Sequence, residues 1–383
     1  VSPALTYLLA FAVAGIVSLV LTPVVLRFAL RRGVLDRPGA HKSHVTPTPY
    51  LGGLAMVVAF TAAVLLAALT RSDPGGRVQL VTLLAVALGM AVIGLLDDLR
   101  GLGVIARFGA QLAAALVLWQ AGIRVDLTPW PMLDLVITVV WIVGITNAMN
   151  LLDNMDGLSA VTATIAALAF GLLGALNGQF LVAALAFALA GCAVGFLREN
   201  RPPARIYMGD AGSLFLGILL AALGILLRFE THPFNAAVVP ILVLTVPVLD
   251  TTLVTIARLR HGISPFQGGR DHTSHRLVHV GLPVGVAVGV IGLAGLAHAW
   301  MALIVSRVDV VTAMIAVGLI VTVDALVFAL IAKVPVYGNS RGRDLVIVRR
   351  ATPEGDDAGP RSAEASRPAT DGDPPTEDQP SGR

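Results

Sequence analysis

Charge is scarce in this sequence. Asp, Glu, Lys and Arg make up 13% of its 383 residues, about half of the ~25% that soluble globular domains carry. Aromatic residues are 5%, and there is a single cysteine, Cys192. One thiol cannot form an internal disulfide, and its place in an apolar run makes it a small core residue. The net charge of +3 gives no basic surface for nucleic acid, because the Lys and Arg residues sit in short loops between apolar runs.

What the chain has instead is hydrophobic length. It is 56% hydrophobic, with a mean hydropathy of +0.82. Runs of about 20 apolar residues recur, each long enough to cross the ~30 Å hydrocarbon core of a bilayer. Reading them between charged and Pro/Gly-rich breaks predicts an all-α polytopic membrane protein. The eleven expected spans are near 4–29, 51–70, 80–96, 108–123, 135–149, 158–176, 180–197, 214–228, 236–257, 283–305 and 310–332. Arg27, Arg31 and Arg32 follow the first run, with no small-residue cleavage site, so it reads as a retained helix and not a signal peptide.

Lys/Arg asymmetry sets the expected orientation. The loops 31–50, 97–107, 147–157, 198–213 and 258–282, with the segment 333–350, hold 18 Lys/Arg; the alternate loops hold 5. The richer set belongs to the cytoplasm. The expectation is a multi-pass plasma (inner) membrane protein with its N-terminus outside and its C-terminus inside. The chain divides into a membrane domain, 1–335, and a tail, 336–383, that is mostly disordered: beyond about 351 it is rich in Pro, Gly, Asp and Glu without apolar periodicity. The stretch "DLVIVRR", 344–350, fits a short strand or the start of that tail.

Every polar cluster falls in the loops assigned to the cytoplasm, which points to one site. "LLDDL" puts Asp97 and Asp98 at the end of the third run, where adjacent like charges need a partner. "NAMNLLDNMDGL" carries Asn147, Asn150, Asp153 and Asp156 in steps of three, too many polar groups for a helix cap. "MGDAGSLFLG" sets Asp210 between two glycines before the eighth run, as an N-cap with Ser213 at the helix start or as a ligand of an anion or Mg²⁺. "GGRDHTSHRL" groups Arg270, His272, His275 and Arg276, cationic donors suited to phosphate oxygens. The two histidines lack the further His or Cys that zinc requires. "DRPGAHKSHVTPTPYLGG" brings Lys42 and His44 before a Pro/Gly-rich return to the membrane. Asp250 lies about 12 Å inside its helix end, and an intramembrane Asp is a functional candidate by default. His298 and Asp324 are isolated polar residues in the last two runs.

Carboxylates for a divalent cation, basic groups for phosphates and a membrane setting together call for a phosphorylated substrate with a lipid part. In order along 1–335, these five motifs resemble those of the polyprenyl-phosphate N-acetylhexosamine-1-phosphate transferases, the group of WecA and TagO, related to MraY. The resemblance implies transfer of a sugar 1-phosphate, most simply GlcNAc 1-phosphate, from a UDP-N-acetylhexosamine to polyprenyl phosphate in cell-envelope polysaccharide synthesis. It implies Mg²⁺ as cofactor, with Mn²⁺ as a substitute; a homodimer is one assembly open to such a chain, and the sequence does not fix the oligomeric state. Carried over by motif, Asp97, Asp98 and Asp210 are the catalytic carboxylates and Asp210 is the Mg²⁺ ligand. Lys42, His44, Asn150, Asp153, Asp156, His272, His275 and Arg276 bind substrate. The chain departs from the pattern at His41, where an Arg is common, and at Asn154, where Gly is usual. It departs again at Thr273 and Ser274, which replace an apolar residue and a second His. The absence of consecutive histidines favours the WecA/TagO branch. An Asp-rich intramembrane prenyltransferase or an ion-coupled transporter is the alternative. The first leaves "MGDAGS" unexplained, and the second predicts a repeat symmetry that the sequence lacks.

Overall fold

In the computed structural model the described residues are 2–36, 47–70, 76–229 and 232–336. The expected tail beyond Val336 and the segment with Lys42 and His44 lie outside them.

The chain is a bundle of α-helices: α1 (Pro3–Arg32), α2 (Gly52–Thr70), α3 (Arg77–Arg100), α4 (Val104–Gln120), α5 (Pro131–Leu152), α6 (Leu158–Leu176), α7 (Phe180–Asn200), α8 (Gly209–Leu226), α9 (Pro233–Val243), α10 (Thr245–Arg260), the short α11 (Thr273–His279), α12 (Val284–Val305) and α13 (Val310–Ala332). One antiparallel pair, β1 (Leu35–Asp36) with β2 (Thr48–Pro49), sets Leu35 against Pro49 and Asp36 against Thr48.

Among the described residues nine helices are long and apolar enough to cross a membrane, or ten if the bent pair α9–α10 counts as one. Two of the eleven expected spans need correction. The fourth is α4, whose 17 residues reach about 25 Å at ~1.5 Å per residue, short of the ~30 Å core. The ninth is broken: α9 and α10 meet at 72°. Pro240 and Pro247 lack the N–H groups that would bond one turn back. The Thr245 hydroxyl donates instead to the carbonyls of Ile241 (3.0 Å) and Leu242 (2.9 Å) at the end of α9.

Helix α8 is the centre of the bundle: every residue from Ala211 to Leu226 is buried. At the other extreme is α13, where Ala313 alone is buried, leaving an apolar surface for lipid. Because lipid tails are as apolar as Leu, helices in a membrane pack through small residues. On α7, Gly191 and Gly195 lie four apart, and a Cβ on either would collide with the α1 backbone at Phe11 and Gly15. Between them the buried Cys192 offers its carbonyl to Ser18 Oγ of α1 at 2.8 Å.

Candidate active site

At one end of the bundle the C-terminal ends of α3, α5 and α10, the start of α8, and α11 converge on a cleft of about 820 Å³. Asp97, Asp98, Asn150, Asp153, Asp156, Asp210, His272 and His275 all line it. The sequence spreads these residues over nearly 180 positions, and the fold gathers them. Arg276 is not among the lining residues. Its buried guanidinium instead holds the C-terminal carbonyls of α13, with Val334 O at 2.7 Å and Ile331 O and Ala332 O at 3.3 Å. Lys42 and His44 are outside the described residues, though Asp36 and Tyr50, on either side of them in the chain, line the cleft.

The start of α8 differs from the expected arrangement. Ser213 does not open the helix; Gly209 does, and Met208 at the N-cap gives no side-chain cap bond. The cap comes from another helix. Asp98 of α3 accepts the backbone N–H groups of Asp210 (3.0 Å) and Ala211 (3.2 Å), placing a negative charge where the helix dipole favours it. Close approach depends on Gly94 of α3, where a Cβ would overlap the Asp210 backbone, and on Gly209 at φ 69°.

Asp210 then projects into the cleft with its carboxylate oriented. Asn150 Nδ2 donates to it at 2.7 Å and to Ser213 Oγ at 2.9 Å. Arg107, near the start of α4, bridges the two acidic motifs, with NH1 at 2.9 Å from Asp97 and 3.3 Å from Asp210. Sequence reasoning missed Arg107. A signal existed, since a cation in the first turn of a helix opposes the dipole and needs another reason to be there. Asn147 also lines the cleft but pairs with Gln111 of α4. The two Asn residues therefore serve different neighbours, as the −60° turn of each three-residue step requires.

Past the end of α5, Asp156 accepts the N–H of Ala204 at 2.8 Å. Burial, with the nearby charges of Asp210, Asp98 and Asp156, pushes Asp153 up to about 8. Asp153 is therefore protonated over much of the range in which an unfolded Asp, with its pKa near ~3.9, is charged. Its contribution to stability is full below about pH 4 and lost as pH rises through about 8. We expect thermal unfolding in detergent to occur at lower temperature at pH 8.5 than at pH 5, and Asp153→Asn to shrink that gap. An unchanged gap would contradict this assignment.

The opposite wall is basic. Asp250, buried in α10, accepts from His272 Nδ1 at 2.7 Å and from the Thr273 N–H at 2.7 Å. This fixes the ring and leaves Nε2 as its available nitrogen. The His275 ring lies 6.2 Å away; burial, then the charges of His272 and Arg270, pushes its pKa down to about 4. Near neutral pH His275 is an uncharged imidazole. The loop before α11 is pinned by Arg258, whose Nε and NH2 each lie 2.8 Å from Asp271, with NH1 on Pro265 O at 2.7 Å. Asp250→Asn would weaken the hold on His272, and losing such an orienting partner typically costs about 10–100-fold in activity. A turnover within two-fold of wild type would refute that role.

A side chamber of about 510 Å³ adjoins the cleft, sharing Met155, Asp156, Tyr207 and His275 with it and adding Arg270 and His279. Burial, then Asp156, pushes Tyr207 up to about 12, so it keeps its proton. Neither cavity is lined by His298 or Asp324, which pair with each other at 3.1 Å and join α12 to α13.

The family model for glycosyl transferase family 4 matches residues 80–228, which carry the two acidic motifs and Asp210. A probable undecaprenyl-phosphate N-acetylglucosaminyl 1-phosphate transferase of Bacillus subtilis is 31% identical over 295 residues, 75% of this chain and 81% of the relative. The chain belongs to this family. A decaprenyl-phosphate N-acetylglucosaminephosphotransferase of Mycobacterium leprae is 34% identical over 301 residues, 70% of this chain and 76% of its own. A phospho-N-acetylmuramoyl-pentapeptide-transferase of Desulforamulus reducens is 35% identical over 252 residues, 58% and 74%. Family membership accounts for the order of the motifs. The packing around α8 accounts for their meeting in one cleft.

Proposed function

We propose that this protein transfers N-acetylglucosamine 1-phosphate from UDP-N-acetylglucosamine to polyprenyl phosphate. The products are a polyprenyl-diphosphate sugar and UMP, and the step opens synthesis of a cell-envelope polysaccharide. The observation that carries the reading is the opposition of carboxylates on α3, on α8 and in the turn after α5 to imidazoles on and beside α11, across a cleft in a bundle of apolar helices. In this reading the cleft faces the cytoplasm and the N-terminus faces outward.

The residues fit a divalent cation that arrives with its substrate. Mg²⁺ typically takes one or two carboxylates and fills its shell with water and phosphate oxygens. Among the described residues no group of three or more His, Cys, Asp or Glu is built to hold a metal, whereas Asp210 presents one oriented carboxylate. Asp210 would hold the ion, which when bound neutralises diphosphate charge.

The remaining chemistry is positioning. The acceptor's phosphate oxygen attacks the phosphorus that bears the sugar. A new P–O bond forms as the bond to the bridging oxygen breaks, and UMP departs with that electron pair. A phosphate monoester has its second pKa near ~6, so the acceptor is largely ionised at neutral pH and needs alignment more than a base. Asp98 suits a scaffolding role, because both its oxygens are engaged by α8. His272 and the neutral His275 donate to the diphosphate, whose charge favours protonation of the latter. The side chamber, with Met155, Asp156 and the aromatic Tyr207, suits a nucleobase.

The test is a transfer assay in detergent with radiolabelled UDP-N-acetylglucosamine, polyprenyl phosphate and Mg²⁺. We expect label in the lipid phase, abolished by EDTA. Silence from folded protein with this and other UDP-N-acetylhexosamines would overturn the reading.

A further inference from the structure

Two motif segments 120 positions apart meet through a hydrogen bond. Asn154, in the turn after α5, donates through Nδ2 to Leu151 O at 2.8 Å. That bond fixes which way its amide faces and leaves Oδ1 as an acceptor. The Ser274 hydroxyl of α11 donates to it at 2.6 Å. Ser274 is 1% exposed, so its hydroxyl has little water to turn to if the bond is lost.

The flanking residues give this bond its consequence. Asp153 and Asp156 stand on either side of Asn154, and His272 and His275 on either side of Ser274; all four line the cleft. Other fastenings of α11 run elsewhere: Thr273 and His272 are held by Asp250 of α10, and Arg276 is held by the end of α13. The Asn154–Ser274 bond ties the imidazole wall directly to the carboxylate wall. Both residues are also departures from the resembled pattern, Asn for Gly and Ser for His, and the two departures touch. A Gly at 154 has no side chain to accept the bond.

We propose that Asn154 and Ser274 form a positioning latch that sets the gap between the carboxylate turn and α11 before the UDP-sugar enters. The inference rests on the transfer reaction proposed above. The latch touches neither reacting phosphorus nor nucleophile. It pre-forms the donor end of the cleft, so that binding need not order α11 against the turn.

Steady-state kinetics on the full chain in detergent test it, with UDP-N-acetylglucosamine and polyprenyl phosphate varied separately in wild type, Asn154→Ala, Ser274→Ala and the double variant. Each single variant is expected to raise the KM for the UDP-sugar about 5-fold, in line with the loss of one buried hydrogen bond. The KM for polyprenyl phosphate and kcat should stay within about two-fold, and the double variant should be no worse than either single, because both remove the same bond. A merely structural role would instead lower kcat through the active fraction and leave the donor KM alone. Wild-type activity with unchanged donor KM in both single variants, or with effects that multiply in the double, would overturn the latch by itself. A wild type silent toward all UDP-sugars would overturn the transfer reading, and the latch with it.

Discussion

Asp210→Ala is expected to lower kcat for sugar-phosphate transfer by about 10²–10³-fold, the scale seen when one preorganised electrostatic group is removed from a reaction centre. The size follows from its position. Asp210 stands at the start of the buried α8, held by Asn150 at 2.7 Å and faced by Arg107 at 3.3 Å. Without it, Asn150 Nδ2 keeps only Ser213, and Arg107 keeps only Asp97 at 2.9 Å as a close acidic neighbour. The remaining arginine charge would then stand where a cation is needed. The fold should survive, because the change relieves a crowd of like charges and leaves the cap that Asp98 gives α8 largely intact, its bonds being to backbone N–H groups. Initial rates of UMP release, beside thermal unfolding of the same preparation, check both halves. A variant that keeps a tenth of wild-type turnover would remove Asp210 from the reaction centre.

Arg258→Ala is expected to be the most damaging single change to stability. Arg258 and Asp271 are 1% and 2% exposed and meet through two bonds of 2.8 Å, with a third from Arg258 to Pro265 O. Removing one partner of a buried pair strands the other charge, at a cost of about 3–5 kcal/mol. Lys at 258 should not rescue, since an ammonium cannot make the two-pronged contact. Arg258→Met combined with Asp271→Leu should recover much of the loss, because no charge is left stranded. Thermal unfolding in detergent distinguishes these outcomes. A single variant that melts with wild type would show that the pair is dispensable. Turnover should fall alongside, because the pair pins the loop that leads into His272 and α11.

The two sites differ in how far the sequence reveals them. Asp210 is conspicuous within "MGDAGS", in a chain where charge is rare. In sequence Arg258 is one more basic residue at the end of an apolar run, and nothing in its neighbourhood names Asp271 as its partner. Arg276 misled in the opposite way. Its place beside His275 makes it look like a phosphate ligand, yet its guanidinium caps α13, and side-chain direction on a helix this short cannot be read from spacing alone. Asp250, isolated in sequence, gained its meaning from the fold-back that brings His272 to 2.7 Å.

The sequence by itself determined the helical membrane class, the positions of most spans and the identity of the polar motifs. Those properties depend on local composition: a run either is or is not long and apolar enough to leave water, and a polar group in such a chain needs a partner. Only the tertiary structure decided which partner. The cap that α3 gives α8, the bridge from Arg107 to Asp210 and the bond from Ser274 to Asn154 all join residues distant in sequence. Their geometry follows from how the helices pack around α8, and no local period encodes it.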